Sequence, residues 1–159
     1  MKRASRELLA AREDVWAFLA EPNHLADWWP GVVAVEADRR GFARDARWQV
    51  QVVEDQFGVL GLPTSGRLAG PGVEHTLVIT GLADEAEWSW RLIPRTRTRV
   101  ARTIGVSIAL AVGAPDRTLV TIGVGGASLG ASLFGSHDRR VARTAVNRLY
   151  DLVQTAATL

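Results

Sequence analysis

Three histidines, His24, His75 and His137, are the side chains of this 159-residue chain whose ordinary pKa suits proton exchange near neutrality. There is no cysteine, so thiolate catalysis, zinc-thiolate sites and disulfides are excluded together, and the redox compartment stays undetermined. His75 is the best placed of the three. It precedes Leu77 by two residues and Ile79 by four, so a period-two strand turns its imidazole toward the same face as those apolar side chains. In that position it either orients a ligand carbonyl or acts as a general base, with Arg91 or Thr103 as helpers. The plainer account is a strand-end residue bonded to backbone. His24, with Asp27, precedes Trp28 and Trp29 and reads as part of a helix cap; His137 reads as capping or solvated at the start of the last helix.

Other chemistries fail on inspection. Three scattered histidines do not form a metal site, and no HExxH, P-loop or Ser/His/acid signature is present, so neither a metal nor a cofactor is expected. The glycines of Thr121–Gly130 follow a strand and precede a helix, but Ser128 takes the third glycine position and no βαβ unit surrounds them. They read as a hinge, with Leu129, Leu133 and Phe134 able to cover a cavity mouth. Arg95, Arg97 and Arg99 share one strand face, with Arg102 following, and read as solvated edge protection rather than an anion site. The isoelectric point is basic, yet 19 basic residues against 17 acids leave a net charge of +2, so no nucleic-acid partner is expected.

Behind His75 stands an apolar wall read from strand alternation. It comprises Trp48 and Val50; Leu77 and Ile79; Trp88, Trp90 and Leu92; Val106, Ile108 and Leu110; and Val120 and Ile122. Trp29 adds to it from the N-terminal helices, and Leu149 and Leu152 face it from the last helix. Such a wall suits a hydrophobic or aromatic ligand, and it equally suits a filled core. If the phase at 86–93 is reversed, Glu87, Ser89 and Arg91 point inward instead of the tryptophans.

These residues need elements to carry them. Val15, Phe18 and Leu19 recur at helical spacing, Pro22-Asn23 stops that helix, and Leu25, Trp28 and Trp29 begin a second. The period then changes to two. Strands are expected around Val33–Val35 and Trp48–Val52, and over 74–81, 86–93, 103–112 and 117–124, with residues 4–10 as a first strand. Gly113-Ala114-Pro115-Asp116 marks a turn. The Gly- and Pro-rich stretch 55–72 reads as a long connection with one short strand around Ser65–Leu68 and the length of a flap. From Ser136 on, Val141, Ala145, Leu149, Leu152 and Ala156 mark one face of a long amphipathic helix.

The string Arg12-Glu13-Asp14-Val15-Trp16-Ala17-Phe18-Leu19, then Glu21-Pro22-Asn23, Leu25 and Trp28-Trp29-Pro30-Gly31-Val32, resembles the SRPBCC, or START-like helix-grip, superfamily of polyketide cyclases/dehydrases and lipid-transfer proteins. One departure is visible: Leu9-Ala10-Ala11 stands where that family usually has Asp-Ala-Pro, so the first helix lacks a capping carboxylate. The resemblance implies an α+β fold. A curved antiparallel sheet of about seven strands would wrap a long C-terminal helix, with two short helices after the first strand and an elongated cavity between sheet and helix.

Length and 47% hydrophobic content fit one domain, 1–159, and no apolar run is long enough to span a membrane, so the chain is read as cytoplasmic. The expected function is binding of a lipid- or polyketide-like small molecule. The alternatives are a cyclase/dehydrase-like enzyme using His75, or an interaction module using Phe57–Leu62 or the arginine strand over a filled core. Homodimerisation stays open.

Overall fold

The computed structural model describes residues 1–53, 72–96, 102–126 and 135–158, apart from the side chains of 135–136 and 156–158. The elements are β1 (Lys2–Leu8), α1 (Arg12–Ala20), a 3-10 turn (Pro22–His24), α2 (Leu25–Trp28), β2 (Val32–Glu36), β3 (Arg47–Val52), β4 (Val73–Ala83), β5 (Glu87–Pro94), β6 (Ile104–Val112), β7 (Thr118–Gly126) and α3 (Gly135–Thr158). Strands β2 to β7 follow one another as an antiparallel meander, and β1 returns to close the far edge against β7, giving the order β1-β7-β6-β5-β4-β3-β2. The seven strands and three helices are those expected. The proposed strand near Ser65–Leu68, the 55–71 connection and Leu129–Phe134 lie outside the described residues.

Local chemistry sets the boundaries. The α1 N-cap is Ala11, which offers no side-chain hydrogen bond, as the missing carboxylate foretold. Pro22 enters the 3-10 turn at a position that needs no N–H. In Trp-Trp-Pro-Gly, Gly31 takes φ +86°, and a Cβ there would lie 2.9 Å from the Val53 carbonyl oxygen, so the chain turns from α2 into β2 only with glycine. His24 does not cap α2; its Nδ1 donates instead to the Phe18 carbonyl at 2.9 Å, and its ring stacks on Phe18 at 4.1 Å.

Two register shifts, at Val32/Ala34 and at Ile79/Gly81, bend the sheet. The first corrects the alternation read for β2. Val32 is buried, while Val33 is 56% exposed, because the extra residue at the bulge turns Val33 out.

Helix α3 lies chiefly against β1 and β7 and also touches α2. Its buried stripe is Val141, Ala142, Ala145, Val146, Leu149 and Val153. Leu152 is half-buried at the margin of that stripe. The difference is geometric: Val153 stands four residues after Leu149 and directly above it, whereas Leu152 is rotated toward the side.

Candidate functional site

The inner face of the sheet carries the expected wall in the expected phase. Trp88 and Trp90 are buried, while Glu87 and Arg91 on either side of the pair are exposed and Ser89 between them is half-buried. Trp48, Val50, Leu77, Ile79, Leu92, Ile108, Leu110 and Ile122 are buried with them, as are Trp29 and Leu149. Cross-strand register places Leu77 opposite Leu92, and Trp90 opposite both Ile79 and Val106, so the wall is continuous across β4, β5 and β6.

At its centre the wall is aromatic. Trp28, Trp88, Trp90 and Trp29 form a closed ring of contacts, with centroid separations of 6.3 Å from Trp28 to Trp88, 5.9 Å from Trp88 to Trp90, 4.8 Å from Trp90 to Trp29 and 5.6 Å from Trp29 to Trp28. Phe42 packs edge-on to Trp88 at 5.0 Å, and Trp16 joins through Phe42 at 5.4 Å. Trp28 and Phe42 were missed in the sequence reading. The signal for Trp28 was its spacing of three from Leu25, both buried on one helix face. Phe42 lies in a segment with no period, so no pattern marked it.

The rings differ in how their N–H groups are met. Trp48 Nε1 donates to the Gly41 carbonyl at 2.7 Å. Nε1 of Trp28, Trp88 and Trp90 is buried without an acceptor among the described residues.

Among the described residues His75 is a buried polar residue of this face. It is 4% exposed, between cross-strand neighbours Val50 and Pro94. Its Nδ1 lies 3.0 Å from the Val73 carbonyl, which can only accept, so Nδ1 donates in that bond. Among the described residues the remaining buried polar or charged side chains are likewise partnered. Thr118 donates to the Ala10 carbonyl at 2.8 Å, and Asp138 is paired with Arg102. Arg91 is exposed on the outer face and is removed from the set around His75. Thr103, whose hydroxyl is buried without a partner, sits two strands away, about 10 Å at the usual strand spacing. It does not reach His75 directly.

Near the start of β6, Arg102 forms a buried ion pair with Asp138 in the first turn of α3, with side-chain exposures of 14% and 3%. This corrects the solvated reading of Arg102: the neighbouring helix supplies a carboxylate that strand patterning could not reveal. Arg95 pairs with Glu74 at 2.6 Å on the surface, and Arg97 and Arg99 lie outside the described residues. Next to Asp138, His137 is half-buried, and desolvation holds its pKa below the usual histidine value, opposed by Asp138 and aided by Arg102 and Arg140. On the opposite face of the sheet, a groove of about 310 Å³ runs past Met1, Ser89, Arg91, Gly105, Ser107 and Gly125. It exists because glycine and serine stand where strands usually carry larger outward side chains. Among the described residues no three histidines or acids gather as metal ligands, and no helix is long and apolar enough to cross a membrane.

No family model matches the chain, and no curated protein matches it. Solved structures do. A START superfamily protein from Mycobacterium smegmatis superposes with a TM-score of 0.67 at 13% identity, over 97% of this chain and 97% of that one. A protein from Chromobacterium violaceum gives 0.64 at 17% identity, over 96% of each chain. DynU16, encoded in the dynemicin biosynthetic locus, gives 0.66 at 16% identity; it covers 98% of this chain, which spans 47% of DynU16. At such identities the likeness speaks for the fold alone, and that fold is the START-like helix grip.

Proposed function

We propose that this protein binds a hydrophobic or aromatic small molecule between the inner face of its sheet and α3. The observation that carries the reading is the composition of that face. It is apolar and aromatic from β3 to β7, and among the described residues His75 is buried on it with its Nδ1 on the Val73 carbonyl. An apolar surface with a few placed polar groups is the usual make-up of a small-molecule site. The fold shared with a START superfamily protein agrees with it.

The wall is closed at its centre, where Trp48 and Trp88 have no exposed surface. Residual exposure is slight at both ends of the strands, at Val52, His75 and Leu92 on one side and Leu110 on the other.

A second reading, a cyclase/dehydrase-like enzyme, draws on the same histidine as a general base. The test is titration of the folded protein with an apolar fluorescent probe, followed by tryptophan emission, on wild type and His75→Ala. Binding is expected. Loss of one hydrogen bond should weaken affinity by about 0.5–1.5 kcal/mol. If the enzyme reading holds, His75→Ala keeps affinity and lowers turnover by roughly 100-fold or more. A well-folded wild type that binds no probe refutes both.

A further inference from the structure

We propose that the ligand carries a hydrogen-bond-accepting oxygen within its apolar body, as a ketone or quinone does, and that the indole N–H groups of Trp28, Trp88 and Trp90 receive it. The inference rests on the small-molecule reading above and specifies its chemistry.

Three buried donors in one ring cluster find no acceptor among the described residues. Native interiors leave few such groups, because a donor taken out of water and not re-bonded forfeits its hydration. The fold meets this demand where the ring is structural: Trp48, equally buried, has its N–H on the Gly41 carbonyl. Its neighbours Trp88 and Trp90 do not, although they stand on a strand two over, with the same inward phase. The edge-to-face contacts among Trp28, Trp29 and Trp90 give their N–H groups at most ring faces, which are weaker acceptors than an oxygen.

The three rings are also clustered. Trp88 lies with its centroid 6.3 Å from that of Trp28 and 5.9 Å from that of Trp90, so the three fall within the span of one tricyclic ligand. The rings are closed on one another, and a ligand must part them. Hydrogen bonds from up to two of the three unmet donors to the two lone pairs of a carbonyl oxygen offset that cost, and a hydrocarbon gains none. Selectivity for an oxygenated ligand therefore arises from the protein's own unmet donors rather than from pocket shape.

The experiment compares fluorenone with fluorene, which share one tricyclic outline and differ by a carbonyl in place of a methylene. Each is titrated into the full chain while the six indole N–H signals are followed by 15N-1H correlation spectra, assigned by single Trp→Phe variants whose folding is checked by thermal melting. Fluorenone is expected to bind about tenfold or more tightly than fluorene, the discrimination given by donors otherwise left unmade. One or two of the Trp28, Trp88 and Trp90 signals should move downfield with the ketone only, because a single carbonyl oxygen has two lone pairs, while Trp48 stays in place. Trp88→Phe should shrink the ketone preference. Equal binding of the two compounds with unmoved indole signals overturns the inference and leaves the binding reading intact. Binding of neither overturns both. In the free protein, upfield indole signals from N–H groups over ring faces, or cross-peaks to a long-lived water, would show the donors already satisfied and also overturn it.

Discussion

Replacing Asp138 by asparagine tests the join between sheet and helix. The carboxylate is 3% exposed and its partner guanidinium 14%, so both charges have left most of their water. At an effective dielectric of 20, a pair 4 Å apart gains about 4 kcal/mol, against a desolvation penalty of several kcal/mol per ion, so the intact pair contributes little net. Breaking it is different. Asp138→Asn keeps the shape and one accepting oxygen but removes a counter-charge from the largely desolvated Arg102, and breaking a buried pair costs about 3–5 kcal/mol. Retention of the acceptor puts the expectation near 3 kcal/mol. In a chain of this length 1 kcal/mol moves the midpoint by about 2–4 °C, so the Tm should fall by about 6–12 °C. Circular dichroism melts and urea unfolding measure this. Removing a first-turn carboxylate from α3 also forfeits about 0.3–1 kcal/mol of helix-dipole interaction. Arg102→Met, which leaves that carboxylate in place, separates the two effects and should be similarly costly. Arg102→Met combined with Asp138→Leu should return to within about 1 kcal/mol of wild type. A loss below about 1 kcal/mol for both single variants, with recovery at high salt absent from the comparison, would mark an ordinary surface pair and refute the reasoning.

Leu149, with no exposed surface, faces the sheet from the middle of α3, so Leu149→Asp should abolish cooperative unfolding in a melt, because a buried unpaired charge costs several kcal/mol of a total near 5–15; an unchanged melt would mean the helix face is misassigned. His137 supplies a pH dependence. Desolvation lowers its folded-state pKa below 6.5, so as pH falls through about 6.5 the unfolded chain takes up a proton that the folded one resists. Stability is therefore full above that value and declines below it, and urea midpoints between about pH 7.5 and 5.5 should show a slope that His137→Gln reduces.

Much of this architecture follows from local pattern. Trp88, Trp90 and Leu92 alternate with Glu87, Ser89 and Arg91, and burial of every other side chain in a strand makes that alternation decide the face. The stop at Pro22, the turn at Gly31 and the heptad-like run from Val141 to Leu149 are likewise properties of a few neighbouring residues. Where a bulge intervenes, as at Val33, pattern misleads, since an inserted residue reverses the phase without changing composition. Pairings between distant residues lay beyond sequence reading. Arg102 looks like one more surface arginine until α3 brings Asp138, 36 residues later, against it. Whether an indole N–H is met is of the same kind: Trp48, Trp88 and Trp90 are alike as strand residues, and only the path of the chain at Gly41 gives Trp48 an acceptor. Periodicity assigns a side chain to a face, whereas the partner it finds there depends on segments brought close by folding.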